Sequence, residues 1–346
     1  MSSMDEQGEQ QKLATLTGKR LGPYRGFNPV NRAQVWQWCT AMGDNNPLYL
    51  DDEYRKQTEF ESLVAPPAMM QVWTMRDFND NYAPGSTQSQ PYQVFDEMSE
   101  LGYTRNVAVS YDIQFSRYLT EGECPIHHTT IMEISDRKKT ALGEGFFVTE
   151  KLDYSTELGK PFAQALISYF QYKPKIADRI TSDRMRDKVA TETVGTHSAP
   201  AANGQCDRTD LSASQVELDD ALPELIIPIT HKLIVGGAIA TQDFIPVHHN
   251  APAAQRAAMP DIFMNILTTS GLCSRYLSDW AGPASRLQRL TFKLMAPNTP
   301  GDCMTLRGVV KKVDRSKSRP VVAVDFSGAN SKGSHVVGSA DVELNP

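Results

Sequence analysis

LTFKLMAPNTPGDCMTLRGVVKKVDRSKSRPVVAVDFSGANSKGSHVVGSADVEL, residues 290–344, decides the fold. Within it TFKLMA, CMTLRGVVKKV, PVVAVDFSG and HVVGSADVEL alternate apolar with polar side chains and are rich in β-branched residues. Alternation of period two puts one face of each segment on a core and the other in water. Between them NTPGD, DRSKSRP and ANSKG carry the Gly, Pro, Asn, Asp and Ser of turns. Strands joined by such short loops predict an antiparallel meander. Just upstream, MPDIFMNILTTSGLCSRYL (259–277) is apolar on most sides and predicts a helix over about residues 261–279. An apolar helix needs a surface to cover it, and a curved sheet wrapped around it provides one.

The first part of the chain repeats this order. Gly43-Asp44-Asn45-Asn46-Pro47-Leu48-Tyr49 answers Gln242-Asp243-Phe244-Ile245-Pro246-Val247-His248. APPAMMQVWTM (65–75) answers the apolar run before the meander, and YDIQFSRYLTEGE (111–123) answers LTFKLMAPNTPGD (290–302). Two divergent copies of one unit are therefore expected, at 19–174 and 222–346. They are flanked by a disordered polar head (1–18) and joined by an Ala/Ser/Thr/Asp-rich linker (175–221). Each copy is expected to be an antiparallel sheet wrapped around a long helix, an α+β architecture. Residues 77–105 of the first copy have no counterpart in the second.

A chain of 346 residues fits two domains at roughly 100–200 residues each. With 40% hydrophobic and 22% charged residues it can build real cores. The net charge of -6, from 35 Lys and Arg against 41 Asp and Glu, argues against a nucleic-acid binder. No apolar run approaches the roughly 20 residues that span a bilayer, and MSSMDEQGEQQK lacks the apolar core of a secretory signal. Cys39, Cys124, Cys206, Cys273 and Cys303 are dispersed and odd in number, which points to reduced thiols in a cytoplasmic protein with neither disulfides nor a metal site.

The pattern Asp-x-x-Pro-x-His resembles the hydratase motif of the MaoC-like enoyl-CoA hydratases, a hot-dog-fold family, in which it runs approximately Gly-Asp-x-Asn-Pro-aliphatic-His. The second copy keeps Asp243, Pro246 and His248, with Gln242 in place of Gly and Ile245 in place of Asn. The first copy keeps Gly43, Asp44, Asn46 and Pro47, with Tyr49 where the His belongs. GDNNPLYLDD, VAPPAMMQVWTM and KKTALGEGFF resemble the larger subunit of the heteromeric hydratases of actinobacterial steroid side-chain degradation. ATQDFIPVHHN, PDIFMNILTTSGL and RYLSDWAGP resemble the small catalytic subunit. The resemblance implies a double hot-dog in which one chain joins both subunits and two chains pair as a homodimer. It implies addition of water to an α,β-unsaturated acyl-CoA, most directly a bulky steroid side-chain enoyl-CoA. Coenzyme A is then part of the substrate, and no separate cofactor is implied. An aldolase acting on the product is a further partner that this reading implies.

Hydration needs an oriented, deprotonated water, a proton for the α-carbon and stabilisation of the thioester oxygen. Asp243 is expected as general base, and His248 as the group that holds the same water and passes the proton. On spacing alone, an Asp capping a helix beside a surface His explains the pair equally well. The oxyanion donor is expected as a backbone N–H at the start of the apolar helix. Alignment of helix starts points to Asn265, which stands where the family has Gly and which could equally be a simple helix cap. Tyr49 cannot exchange protons near neutral pH, so the first copy is expected to be catalytically dead and free to change its acyl cavity. Segment 77–105 is read as making room for a bulky acyl group, and on sequence alone an unrelated surface loop explains it equally well. His249 is expected as a loop residue and Cys39 as an inert thiol.

Trp36, Trp38, Trp73 and Trp280 are expected in core or interface positions. The basic run Arg307, Lys311, Lys312, Arg315, Lys317 and Arg319 reads as a solvated hairpin face, with docking of coenzyme A phosphates as the other possibility. The rival functions are a hydratase of small branched or dicarboxylic enoyl-CoAs, a non-catalytic acyl-CoA-binding subunit, and a thioesterase on the same fold.

Overall fold

The computed structural model describes residues 13, 15–60, 62–174, 210–316 and 318–345. Most of the expected head, and residues 175–209 of the expected linker, lie outside the described residues. The first unit contains β1 (Arg20–Arg25), α1 (Arg32–Met42), α2 (Gln93–Glu100), β2 (Arg105–Phe115), β3 (Pro125–Ile134), β4 (Lys138–Lys139), β5 (Gly143–Thr156) and β6 (Pro161–Pro174). The second contains β7 (Ala221–Ile229), α3 (His231–Ala240), α4 (Ile266–Ala281), β8 (Arg286–Leu294), β9 (Asp302–Asp314), β10 (Val321–Asn330) and β11 (Gly333–Glu343).

The strands form one antiparallel sheet in the order β1-β3-β5-β6-β2-β8-β11-β10-β9-β7, with β4 paired to β5. Read from either end this is the same topology, so each half is a five-stranded copy and the halves meet at β2 and β8. There Tyr111 lies opposite Phe292 and Ile113 opposite Leu290. The alternation seen in the sequence carries through: on β5, Val148, Glu150, Leu152, Tyr154 and Thr156 all face inward.

Helix α4 is the long helix expected in the second half. Every residue from Leu267 to Leu277 is buried, because the sheet covers one side and α1 and α3 cover the others. The close approach requires glycine at two places. A Cβ on Gly271 would lie 2.7 Å from the Trp38 ring of α1, and one on Gly237 of α3 would collide with the Thr268 side chain.

The first half departs from expectation: among its described residues no helix stands where the second half has α4. Residues 65–75 form two isolated 3-10 turns, Pro67–Met69 and Val72–Thr74. Pro66 is held extended by the proline that follows it, so a helix cannot start before Pro67. Beyond Met75 the chain turns away, because the Asp77 carboxylate accepts from the amides of Asn79 and Asn81 at 2.8 Å each. The segment between is too short to repay helix nucleation. The extra segment then crosses to α2, which closes a small apolar cluster of Val94, Met98, Tyr103, Ile131, Phe146 and Val148 at the end of the sheet.

Among the described residues no helix is long and apolar enough to cross a membrane. Cys39, Cys124, Cys273 and Cys303 are free thiols, and Cys206 lies outside the described residues. Gly237→Ala should destabilise the fold by about 1–3 kcal/mol through overpacking at Thr268, read as a lowered urea midpoint with the slope unchanged.

Candidate active site

The site is built where α3 ends and α4 begins. Thr230 caps α3 by accepting from Leu233 N, and the chain leaves the helix through Gln242, whose φ is +54°. Gly43 holds the same place in the first copy, with φ +65°. The fold therefore keeps the left-handed turn even where glycine has been replaced. That turn lets Asp243 N donate back to Ala238 O at 2.9 Å and aims the carboxylate inward. Ile245 is extended before Pro246, and Pro246–His248 forms a single 3-10 turn that brings the imidazole round to the carboxylate.

Asp243 and His248 are both buried, with Oδ2 and Nε2 3.6 Å apart. His248 Nδ1 lies 2.7 Å from Phe263 O, which assigns the proton to Nδ1 and leaves Nε2 facing Asp243 as an acceptor. The Phe263 ring meets the imidazole edge-on, with centroids 5.0 Å apart. This contact ties the motif to the residues that open α4. His249 is exposed and donates from Nε2 to Phe244 O at 3.0 Å, away from the pair.

Asn265 is the N-cap of α4. Its Oδ1 accepts from Thr268 N at 2.7 Å, and its Nδ2 donates to Thr241 Oγ1 at 2.8 Å. The side chain is thus fully used in joining the two helices. Met264 N is spent on Asn298 O at 3.0 Å. The first amides of α4 have no acceptor within the helix and carry the positive end of its dipole.

Several residues of this region carried no local signal in the sequence. Thr241, Phe263 and Asn298 act through partners distant in the chain. His335 is another: its Nδ1 donates to Ala296 O at 2.7 Å and its Nε2 lies 2.9 Å from Thr269 Oγ1, while burial lowers its pKa. It pins the 295–298 loop against the first turn of α4.

The first copy has the same backbone and a different filling. Asp44 N donates to Cys39 O at 2.8 Å, as Asp243 does to Ala238, and Asp44 Oδ1 accepts from Asn46 N at 3.0 Å. Tyr49 is buried. Arg275, reaching back from α4, donates to Met42 O at 2.9 Å and to Asp279 at 3.1 Å, and occupies the space beside Gly43. Burial pushes the Asp44 carboxyl up to about 6, and the nearby Asp279 adds to this against the pull of Asn46 N–H and Arg275.

The basic run is engaged with its own chain: Arg307 with Glu224 at 2.6 Å, Lys311 with Asp219 at 3.2 Å, and Arg319 with Glu59 at 3.0 Å. Trp38 and Trp73 are buried, whereas Trp36 is exposed at the surface.

Two outcomes are expected from these details. Replacing Gln242 with Gly relieves an L-residue at positive φ and should leave stability unchanged or raise it by up to about 1 kcal/mol, measured by denaturant unfolding. For Asp44 the folded pKa lies above the unfolded one, so the native state binds more protons between pH 4 and pH 6 and loses stability as pH rises through that window. The melting temperature of Asp44→Asn relative to the wild type should therefore climb between pH 4 and pH 7.

Residues 16–165 match the family profile described as the FAS1-like dehydratase domain region. The chain is 36% identical over 173 residues to a probable enoyl-CoA hydratase alpha subunit of Thermomonospora curvata, covering 50% of this chain and 54% of that one. It matches both subunits of the 3-oxo-4,17-pregnadiene-20-carboxyl-CoA hydratase of Mycobacterium tuberculosis. The alpha match is 32% identical over 44% of this chain and 47% of the subunit. The beta match is 36% identical over 36% of this chain and 92% of the subunit. The chain thus spans about half the length of the alpha subunits it matches and nearly all of the beta subunit. In fold it is similar to a solved MaoC-like dehydratase (TM-score 0.71, 17% identity, 96% of this chain and all of that one). It is also similar to a double hot-dog protein of Mycobacterium tuberculosis (TM-score 0.62, 12% identity, 96% and 97%). A sheet of two equivalent halves, a buried Asp-His pair beside the start of α4 and a near-complete match to a hydratase beta subunit place this chain in the MaoC-like, hot-dog-fold enoyl-CoA hydratase family.

Proposed function

We propose that this chain hydrates an α,β-unsaturated acyl-CoA with a bulky, steroid-like acyl group. The observation that carries the reading is the buried Asp243–His248 pair, 3.6 Å apart and locked to the residues that open α4. A water between them donates one hydrogen to Asp243 Oδ2 and the other to His248 Nε2, which turns its oxygen lone pair toward the β-carbon of the substrate. Asp243 takes the proton as the carbon–oxygen bond forms. Charge moves to the thioester oxygen, which the Asn265 N–H and the first turn of α4 stabilise. The α-carbon then receives the proton, and the product is the 3-hydroxyacyl-CoA or its branched equivalent. The Asn265 side chain acts through its cap, holding the amides in place.

Two features support a bulky acyl group. Among the described residues the first half has no helix where the second has α4, and the matched Mycobacterium tuberculosis subunits are named for a steroid thioester. The first half is read as a non-catalytic partner that accommodates the substrate. We further propose that two chains pair, and that an aldolase-type enzyme consumes the product.

The test follows loss of enoyl-thioester absorbance with a crotonyl-type CoA and with a steroid bearing a short unsaturated side chain. Steroid turnover should fall by about 10²–10⁴ in Asp243→Asn and in His248→Ala, with native circular dichroism retained, and should persist in Asp44→Asn. Turnover of the short substrate alone would leave the hydratase and remove the steroid. Release of free thiol would assign a thioesterase, and tight binding without turnover a carrier subunit.

A further inference from the structure

The interior of the first half holds buried polar atoms without a hydrogen-bond partner among the described residues. Glu150 is 1% exposed; Thr129 donates to its Oε1, and its Oε2 has no hydrogen-bond partner among the described residues. Trp73 Nε1 and His127 Nδ1 are unpaired in the same sense, on side chains 3% and 8% exposed. Each such atom costs about 1–3 kcal/mol, and native cores keep few of them without a reason.

The three belong to one place. His127 and Thr129 stand on the inner face of β3, Glu150 stands on the adjacent β5 opposite Ile131, and the Val72–Thr74 turn that carries Trp73 rests against β3. Rings pack beside them: Tyr24 stacks on His127 at 4.8 Å and meets Tyr82 of the extra segment at 4.6 Å. That segment also reaches the catalytic motif. Its Phe78 packs edge-on against Phe244 at 5.4 Å, and its Tyr92 lies within electrostatic reach of both Glu150 and Asp243. One stretch of chain therefore touches both the loop that carries Asp243 and the ring that stacks on His127.

We infer that these atoms face a chamber that recognises an uncharged ring oxygen, a ketone or a hydroxyl, on the part of the acyl group far from the thioester, with Trp73 Nε1 as donor and Glu150 Oε2 as second partner. The inference rests on the reading of the chain as an acyl-CoA enzyme. The chemistry of the donors selects the ligand. An indole N–H only donates, so it needs an acceptor. A carboxylate there would meet Glu150 in a low dielectric, and a cation would meet the indole N–H. Burial pushes the Glu150 carboxyl up to about 7, with Thr129 and the neighbouring Tyr169 hydroxyl pulling the other way, so near neutral pH it is able to donate as well as accept.

The experiment measures binding, apart from turnover. Saturated, unreactive steroid acyl-CoAs with and without a ring ketone are titrated calorimetrically into the full chain. The ketone should bind about 10- to 100-fold more tightly, and Glu150→Gln and Trp73→Phe should each shrink that ratio toward one. Equal affinity of the two thioesters for the wild type would overturn the inference, without needing any variant to fold. A ratio that survives both substitutions would overturn the roles of Glu150 and Trp73. Enoyl-CoA turnover, assayed separately, reports on the hydratase reading: its absence alongside an intact ketone preference would sink that reading and leave the chamber standing.

Discussion

Everything in this molecule is positioned by the pairing of β2 with β8. Either half alone would end in an open strand edge, with unpaired backbone groups facing water. Joined, the two edges disappear into one sheet, and the register is held by a carboxylate. Asp112 on β2 accepts from Arg289 on β8 at 2.9 and 2.7 Å and from Thr291 at 2.7 Å. Partial burial works against its charge, yet these donors hold it below the usual carboxylate range. On the other face Tyr111 meets Phe292 edge-on. A slip of one residue would turn Tyr111 and Ile113 outward and Asp112 into the core. Because register is fixed, α4 lies between its own sheet and the turns of the first half, and the interiors of the two halves are neighbours.

Helix α4 serves both copies of the motif from its two ends. Its first turn adjoins Asp243 and His248, while Arg275 and Asp279 near its last turn fill the place beside Asp44. The same backbone path thus has opposite contents. In one copy a carboxylate faces an imidazole across 3.6 Å. In the other a carboxylate is buried beside a guanidinium already spent on Met42 O and Asp279. The first copy has Tyr49 in place of the imidazole and Arg275 beside its turn, and Gly43 is what leaves room for the guanidinium.

The strands were legible because period-two alternation is a direct image of burial on a sheet. The position of the candidate pair was legible because Asp, Pro and His at that spacing restrict the loop to few shapes. The missing helix was not, because APPAMMQVWTM has the composition of any buried segment and is too short for periodicity to separate helix from turn. The signals that decide it were punctuation: Pro66 and Pro67 at one end, Asp77 with Asn79 and Asn81 at the other. Glu150 could have been placed, since it shares the parity of Val148 and Leu152 and so points inward. Asn265 was placed correctly at the start of α4, but the use of its side chain on Thr241 was hidden, as was the reach of Arg275 to Met42. Contacts across such separations leave no mark in local sequence.

The two halves differ in what their interiors are made of, and that difference has a physical logic. The second half is filled by a helix packed so tightly that Gly237 and Gly271 admit no Cβ. Packing of that kind holds an acid-base pair within the few tenths of an ångström that proton transfer demands. The first half gives up its helix and fills part of the space with tyrosine rings and one carboxyl, whose polar ends are costly to bury. A core under pressure for stability alone would use Phe and Leu at those positions, because net stability is small enough for each unpaired group to matter. Leaving Glu150 Oε2, Trp73 Nε1 and His127 Nδ1 without partners among the described residues is therefore a standing cost. On the reading proposed above, a polar group of the substrate offsets it, and the first half is the adaptable partner of the tightly packed second.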